Sequence, residues 1–188
     1  MKAIVWLVKT FVNIFFRIKF HDIDKIPTDG RVIICPNHKS NWDSVLLYLN
    51  FPRHIHFLAK KELFKNKLLA KILYSQDVIP VDRKKPSLKT IKQCIEVLEN
   101  DEVLGIFPQG TRLAELKESD VKSGVALIAF KANSNVIPVK IVSTYKAFSK
   151  VDIYFGDEIE PRVDENLSQK ENYELWSKEI IKQIKELG

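Results

Sequence analysis

The chain has 188 residues, 45% of them hydrophobic, with six glycines, eight prolines and a net charge of +6. Such a length fits one domain with a sizeable core, and such a composition excludes a disordered or low-complexity chain. Its two cysteines, Cys35 and Cys94, have no metal-like spacing; they exclude a disulfide scaffold and suit a reducing compartment.

Met1 to Phe16 is dominated by Ile, Val, Leu, Phe and Trp6, but Lys2, Lys9, Asn13 and Arg17 recur at spacings of seven, four and four. On a helix this draws one narrow polar stripe down a broad apolar cylinder. A membrane span needs ~20 uninterrupted apolar residues, so residues 1–18 read as an amphipathic helix lying on a membrane surface, ahead of a domain over 19–188. The other reading is a helix packed on the domain's own core. A signal peptide is disfavoured, because Lys9 cuts the apolar region and no small-residue cleavage site follows.

From there the pattern alternates. Apolar runs predict strands at 31–36, 54–59, 77–81, 103–107, 136–143 and 150–155, and amphipathic spacing predicts helices at 41–50, 61–74, 87–99, 122–133 and 170–186. Leu88, Ile91, Ile95 and Leu98 give the third of these helices a clear apolar face. The fold class is therefore α/β: a single layered domain with a mostly parallel sheet flanked by helices, in which the strands of 136–155 are open to antiparallel pairing.

The first predicted strand runs into Asn37-His38-Lys39-Ser40-Asn41-Trp42-Asp43. Residues five apart on one helix diverge by about 140°, so His38 and Asp43 can meet only if His38 precedes the helix, and Ser40 offers a start as N-cap. Asp43 would then accept from Nδ1 of His38 and leave Nε2 as a general base. A Ser-x-x-Asp capping box explains Asp43 equally well without catalysis. Two later strands also end in loops that carry an arginine: Ile79-Pro80-Val81-Asp82-Arg83 and Phe107-Pro108-Gln109-Gly110-Thr111-Arg112. Arginine grips phosphate bidentately, Gly110 allows close backbone approach, and ligands of α/β folds gather at the carboxyl ends of strands.

These blocks in this order, followed by Val136-Ile137-Pro138-Val139, resemble the glycerolipid acyltransferases, which include the 1-acylglycerol-3-phosphate acyltransferases. The resemblance covers about residues 31 to 140, with Ala59-Lys60-Lys61-Glu62-Leu63-Phe64 and Lys122-Ser123-Gly124 also similar. It implies a catalytic base at His38 oriented by Asp43, and an acceptor phosphate and glycerol bound by Arg83, Gln109, Gly110, Thr111 and Arg112, with Lys60 or Lys61 assisting. Gln109 departs from the family's usual Glu; it keeps an acceptor oxygen but loses the charge, which bears on acceptor identity.

The implied reaction moves a fatty acyl group from a thioester, acyl-coenzyme A or acyl carrier protein, to the hydroxyl of a lysophospholipid, lysophosphatidic acid first among them. A thioester is already activated, so neither a metal nor another cofactor is called for, and backbone N–H groups near the turn are expected to stabilise the oxyanion. Another lysolipid acceptor, or a lipid-binding protein without turnover, are the rival readings. The basicity is local: residues 60–92 carry ten Lys or Arg against three acids, and residues 1–20 carry four against none. Such patches suit anionic headgroups, coenzyme A phosphates or an acidic carrier protein, at the cytoplasmic face of the cell membrane. Without an aromatic platform they do not indicate nucleic acid. His54-Ile55-His56 reads as strand decoration, since no third ligand accompanies it.

Overall fold

The computed structural model describes residues 2–82, 86–113 and 122–188. In chain order they form α1 (Lys2–Phe15), β1 (Arg17–His21), β2 (Val32–Pro36), α2 (Trp42–Asn50), β3 (Ile55–Lys60), α3 (Lys67–Tyr74), β4 (Ile79–Val81), α4 (Leu88–Glu99), β5 (Val103–Gly105), α5 (Gly124–Ala132), β6 (Val136–Ser143), β7 (Lys150–Phe155) and α6 (Gln169–Glu186). Seven strands make one sheet in the order β1-β7-β6-β2-β5-β3-β4. The strands β6, β2, β5, β3 and β4 are mutually parallel, and β7 pairs antiparallel with β6, from Val139 against Phe155 to Ser143 against Val151.

The central strand shows why the two layers form. All five residues of β2 are buried, as expected for a parallel strand covered on both faces. Alternation sends Val32 and Ile34 to one face, against Val12 of α1, Phe16 just after it, and Leu46 and Leu47 of α2. Ile33 and Cys35 go to the other, against Cys94 and Leu98 of α4, Val125 and Ala129 of α5, and Ile180 and Ile184 of α6. Burial raises the Cys35 thiol far above its ordinary range and pushes Cys94 up to about 12, so both sulfurs are protonated packing groups.

Three elements depart from the sequence reading. Residues 17–21 form a strand, β1, paired parallel with β7 at the sheet edge; residue 18, where helix and domain were divided, lies inside it. The helix expected over 61–74 is split: Lys61–Lys65 is a 3-10 turn, and α3 starts only after Asn66, whose side chain accepts from the Leu69 N–H at 3.1 Å. Strand β4 begins at Ile79 rather than at residue 77, because Asp77 closes a turn with φ of 54°.

The strand order fixes where a ligand has room. Strand β2 lies between β6 and β5, and α2 after β2 packs on one face while α5 after β5 packs on the other, so the two connections part at the carboxyl edge. That is the topological switch point at which open α/β sheets bind ligands.

Candidate active site

His38 lies in the turn between β2 and α2, and Asp43 in the first turn of α2. Asp43 is 0% exposed, and a buried carboxylate is tolerated only when donors surround it. Here Oδ2 accepts from the N–H groups of Lys39 at 2.7 Å and Ser40 at 2.8 Å, and it lies 2.9 Å from Nδ1 of His38. Oδ1 accepts from the Tyr145 hydroxyl. A carboxylate only accepts, so Nδ1 of His38 carries a proton, and in the neutral ring the lone pair is therefore on Nε2. No described residue is bonded to Nε2.

The helix starts one residue later than expected, with Asn41 rather than Ser40 as N-cap, and only the carboxylate half of the Ser40–Asp43 box is present. Asp43 reaches back to the Ser40 N–H, but Ser40 Oγ accepts from Trp42 at 3.2 Å rather than from residue 43. The Asp43 carboxylate therefore caps the turn and orients the imidazole at once, so the two readings of Asp43 merge in one geometry.

Further contacts fix the ring and the backbone that carries it. The imidazole stacks on Phe107 at 4.0 Å, and Phe107 stacks on Phe57 at 5.8 Å. Phe57 fits because its neighbour across the sheet is Gly105; a Cβ there would stand 2.4 Å from the Phe57 ring. The His38 main chain is held from both sides, its N–H donating to Gln109 Oε1 at 3.0 Å and its carbonyl accepting from Leu113 N–H at 3.0 Å. One residue earlier, the Asn37 amide donates to the Ile141 carbonyl and accepts from its N–H, tying the end of β2 to β6.

The other residues expected at the site fall into distinct places. Thr111 and Arg112 are exposed, on the loop whose Leu113 bonds His38. Gly110 has φ of 64°, a left-handed backbone suited to glycine, and the Lys122 side chain runs 3.3–3.4 Å from where its Cβ would be. Lys60 is exposed, 3.8 Å from Glu62, whereas Lys61 is engaged with Asp82 at 2.5 Å. Arg83 lies outside the described residues.

Gln109 was expected to meet the glycerol. It is 2% exposed, and its carbonyl oxygen is directed to the His38 backbone. The expected oxyanion donors also differ, since the N–H groups of His38, Lys39 and Ser40 are all bonded inward, to Gln109 and Asp43. Those N–H groups build the turn instead of facing a substrate. Tyr145 was not foreseen, and only its place just after a strongly predicted strand hinted at it. His54 and His56 pair with Asp77 and Glu102 respectively, and among the described residues no group of three or more His, Cys, Asp or Glu is placed to hold a metal.

The acyltransferase family model matches residues 17–142. A 1-acyl-sn-glycerol-3-phosphate acyltransferase of Bacillus subtilis is 29% identical over 185 residues, covering 95% of this chain and 92% of the relative. That of Streptococcus pneumoniae is 36% identical over 149 residues, covering 75% of this chain and 55% of the longer relative. In fold, the chain is similar to the crystal structure of the 1-acyl-sn-glycerophosphate (LPA) acyltransferase PlsC of Thermotoga maritima, with a TM-score of 0.69 at 24% identity over 98% of this chain and 81% of that one. The chain belongs to the acyltransferase family and is an acyltransferase.

Proposed function

We propose that the chain transfers a fatty acyl group from an acyl thioester to the free hydroxyl of lysophosphatidic acid, making phosphatidic acid for phospholipid synthesis. The observation that carries this reading is the buried Asp43 bonded to Nδ1 of His38, with Nε2 left as a base. Nε2 takes the proton of the acceptor hydroxyl, and the oxygen attacks the thioester carbonyl. The C–S bond then breaks, and the imidazolium returns its proton to the departing thiolate. Asp43 fixes the tautomer throughout and stabilises the imidazolium, as does the face of Phe107. Arg112, exposed on the loop beside His38, is suited to the acceptor phosphate, and holding it decides which hydroxyl reaches Nε2.

The reading extends to a membrane surface at the cytoplasmic face. Among the described residues no helix is long and apolar enough to cross a membrane. Helix α1 rests on the domain through Val12 and, just past its end, Phe16, yet leaves Trp6 at 66%, Leu7 at 65%, Phe11 at 59% and Ile14 at 65% exposed. The alternatives of core packing and lipid contact thus use different stripes of one helix. Phe16 meets Trp42 edge-on at 5.3 Å, which puts this helix beside the first turn of α2 and its Asp43. A second exposed apolar pair, Leu68 and Ile72 on α3, stands beside exposed Lys67 and Lys71, a composition that favours anionic headgroups.

The test is mass spectrometry of products after mixing the protein with lysophosphatidic acid in vesicles, offering acyl-coenzyme A and acyl carrier protein thioesters separately. We expect new phosphatidic acid with at least one donor, reduced by about 10³-fold or more in His38→Ala. Product formation independent of His38 would refute the general-base role, and no product with either donor would refute the acceptor.

A further inference from the structure

Asp43 is held from two directions. On the side of Oδ2 lie the turn that carries it and the ring of His38; on the side of Oδ1 the donor is Tyr145, 102 residues away in sequence. Tyr145 lies beyond the 17–142 stretch matched by the family model, in the loop joining β6 to β7. We propose that Tyr145 is a positioning residue of the catalytic site, acting through Asp43 to fix the plane and tautomer of the His38 imidazole. The inference rests on the reading of His38 as the general base.

Three observations support it. First, the turn's N–H groups hold Oδ2 while the Tyr145 hydroxyl holds Oδ1, so the plane of the orienting carboxylate is set from both ends. The Tyr145 hydroxyl is the only described partner of Oδ1. Second, burial, and then the neighbouring Asp43 charge, raises the Tyr145 phenol well above its ordinary range, so it stays a donor and never competes with His38 for the proton.

Third, the loop is shaped and moored to deliver this side chain. Tyr145 has φ of 56° and Phe148 φ of 59°; left-handed backbone at such bulky residues persists only where surrounding contacts over-determine it. The Tyr145 N–H donates to Ser143 Oγ at 3.1 Å, and the Phe148 N–H donates to the Phe15 carbonyl at 2.8 Å. The Phe148 ring packs 5.5 Å from Phe15, and its carbonyl accepts from Arg17 Nε at 3.2 Å. Helix α1 and the start of β1 thus anchor the loop that holds the catalytic carboxylate. Tyr145 also packs against the cluster that contains Val139 and Ile141, so a purely structural role is the rival to be excluded.

Tyr145→Phe deletes the hydroxyl and keeps the ring. We expect kcat to fall by about tenfold to a hundredfold, the range for a lost hydrogen bond to a charged group, with KM within about twofold and the thermal midpoint lowered by several degrees, because a buried carboxylate oxygen loses its donor. Retained kcat would overturn the proposal, as would a rise in KM that matches the fall in kcat. A second readout needs no substrate: the proton NMR resonance of His38 Nδ1–H, bonded to Asp43, is expected to shift and broaden in Tyr145→Phe. An unchanged resonance would overturn the proposal. If the wild-type chain gave no product while the resonance still responded, the acyl-transfer reading would fail and the positioning of Asp43 by Tyr145 would stand.

Discussion

The turn that carries His38 and the loop that carries Arg112 are bonded to each other, but they treat their own polar groups in opposite ways. In the turn, the N–H groups of residues 38–40 and both oxygens of Asp43 are bonded to protein. In the loop, Gln109 faces inward, and Thr111 and Arg112 stand in solvent. On the proposed function, the difference follows from what each must do. A base abstracts a proton only from a defined distance and tautomer, so its frame has to be complete before substrate arrives. A phosphate-binding side chain gains its partner from the substrate, so it must be left unsatisfied.

The largest effect that would break this comparison comes from Asp43→Asn. The amide retains the size of the carboxylate but removes its charge, and its NH2 can turn toward Nδ1, favouring the wrong tautomer. We expect kcat to drop by about 10²- to 10³-fold while acceptor KM changes little, checked by steady-state kinetics on vesicles. A change confined to KM would mean that the turn, too, is a binding surface. Arg112→Ala probes the open side. Its expected signature is the converse, a rise of about tenfold in the KM of phosphorylated acceptor with kcat nearly intact. Unchanged preference for phosphorylated over unphosphorylated lysolipid would remove Arg112 from that role.

How much of this was legible in the sequence depended on the range of the interaction. The His38–Asp43 pair is local, five residues apart, and the requirement that His38 precede the helix followed from helical geometry alone. The buried parallel strands were legible because both their faces are apolar. Strand β1 was not: Arg17-Ile18-Lys19-Phe20-His21 alternates, but Arg17 also continued the polar stripe of the helix before it, and the helical period overrode the shorter one. Gln109 was assigned to the substrate because a motif gives a residue's position but not which way its side chain turns; only the fold brings the His38 N–H within its reach. Tyr145 and Gly105 escaped for the same reason, since each acts on a partner many residues away across the sheet or its edge.

The smallest expected effect concerns the surface around the site. If Phe11 and Trp6 meet lipid, replacing both with serine removes exposed apolar area and leaves Val12 and Phe16, the residues that seat α1 on the core, in place. That choice matters because deleting residues 1–18 would also strip the buried core residues Val12 and Phe16 and the Phe15 carbonyl to which the Phe148 N–H is bonded. A fall in vesicle binding after deletion would then report unfolding as readily as lost contact. With Trp6→Ser and Phe11→Ser together, the thermal midpoint should hold while the fraction sedimenting with anionic vesicles falls several-fold, as expected when two large apolar side chains no longer enter the interface. Turnover on acceptor dispersed below its aggregation limit should be nearly unchanged, because neither residue touches the His38 turn. Undiminished sedimentation would leave α1 as a strut that braces the Tyr145 loop, and lipid contact would have to be sought at Leu68 and Ile72.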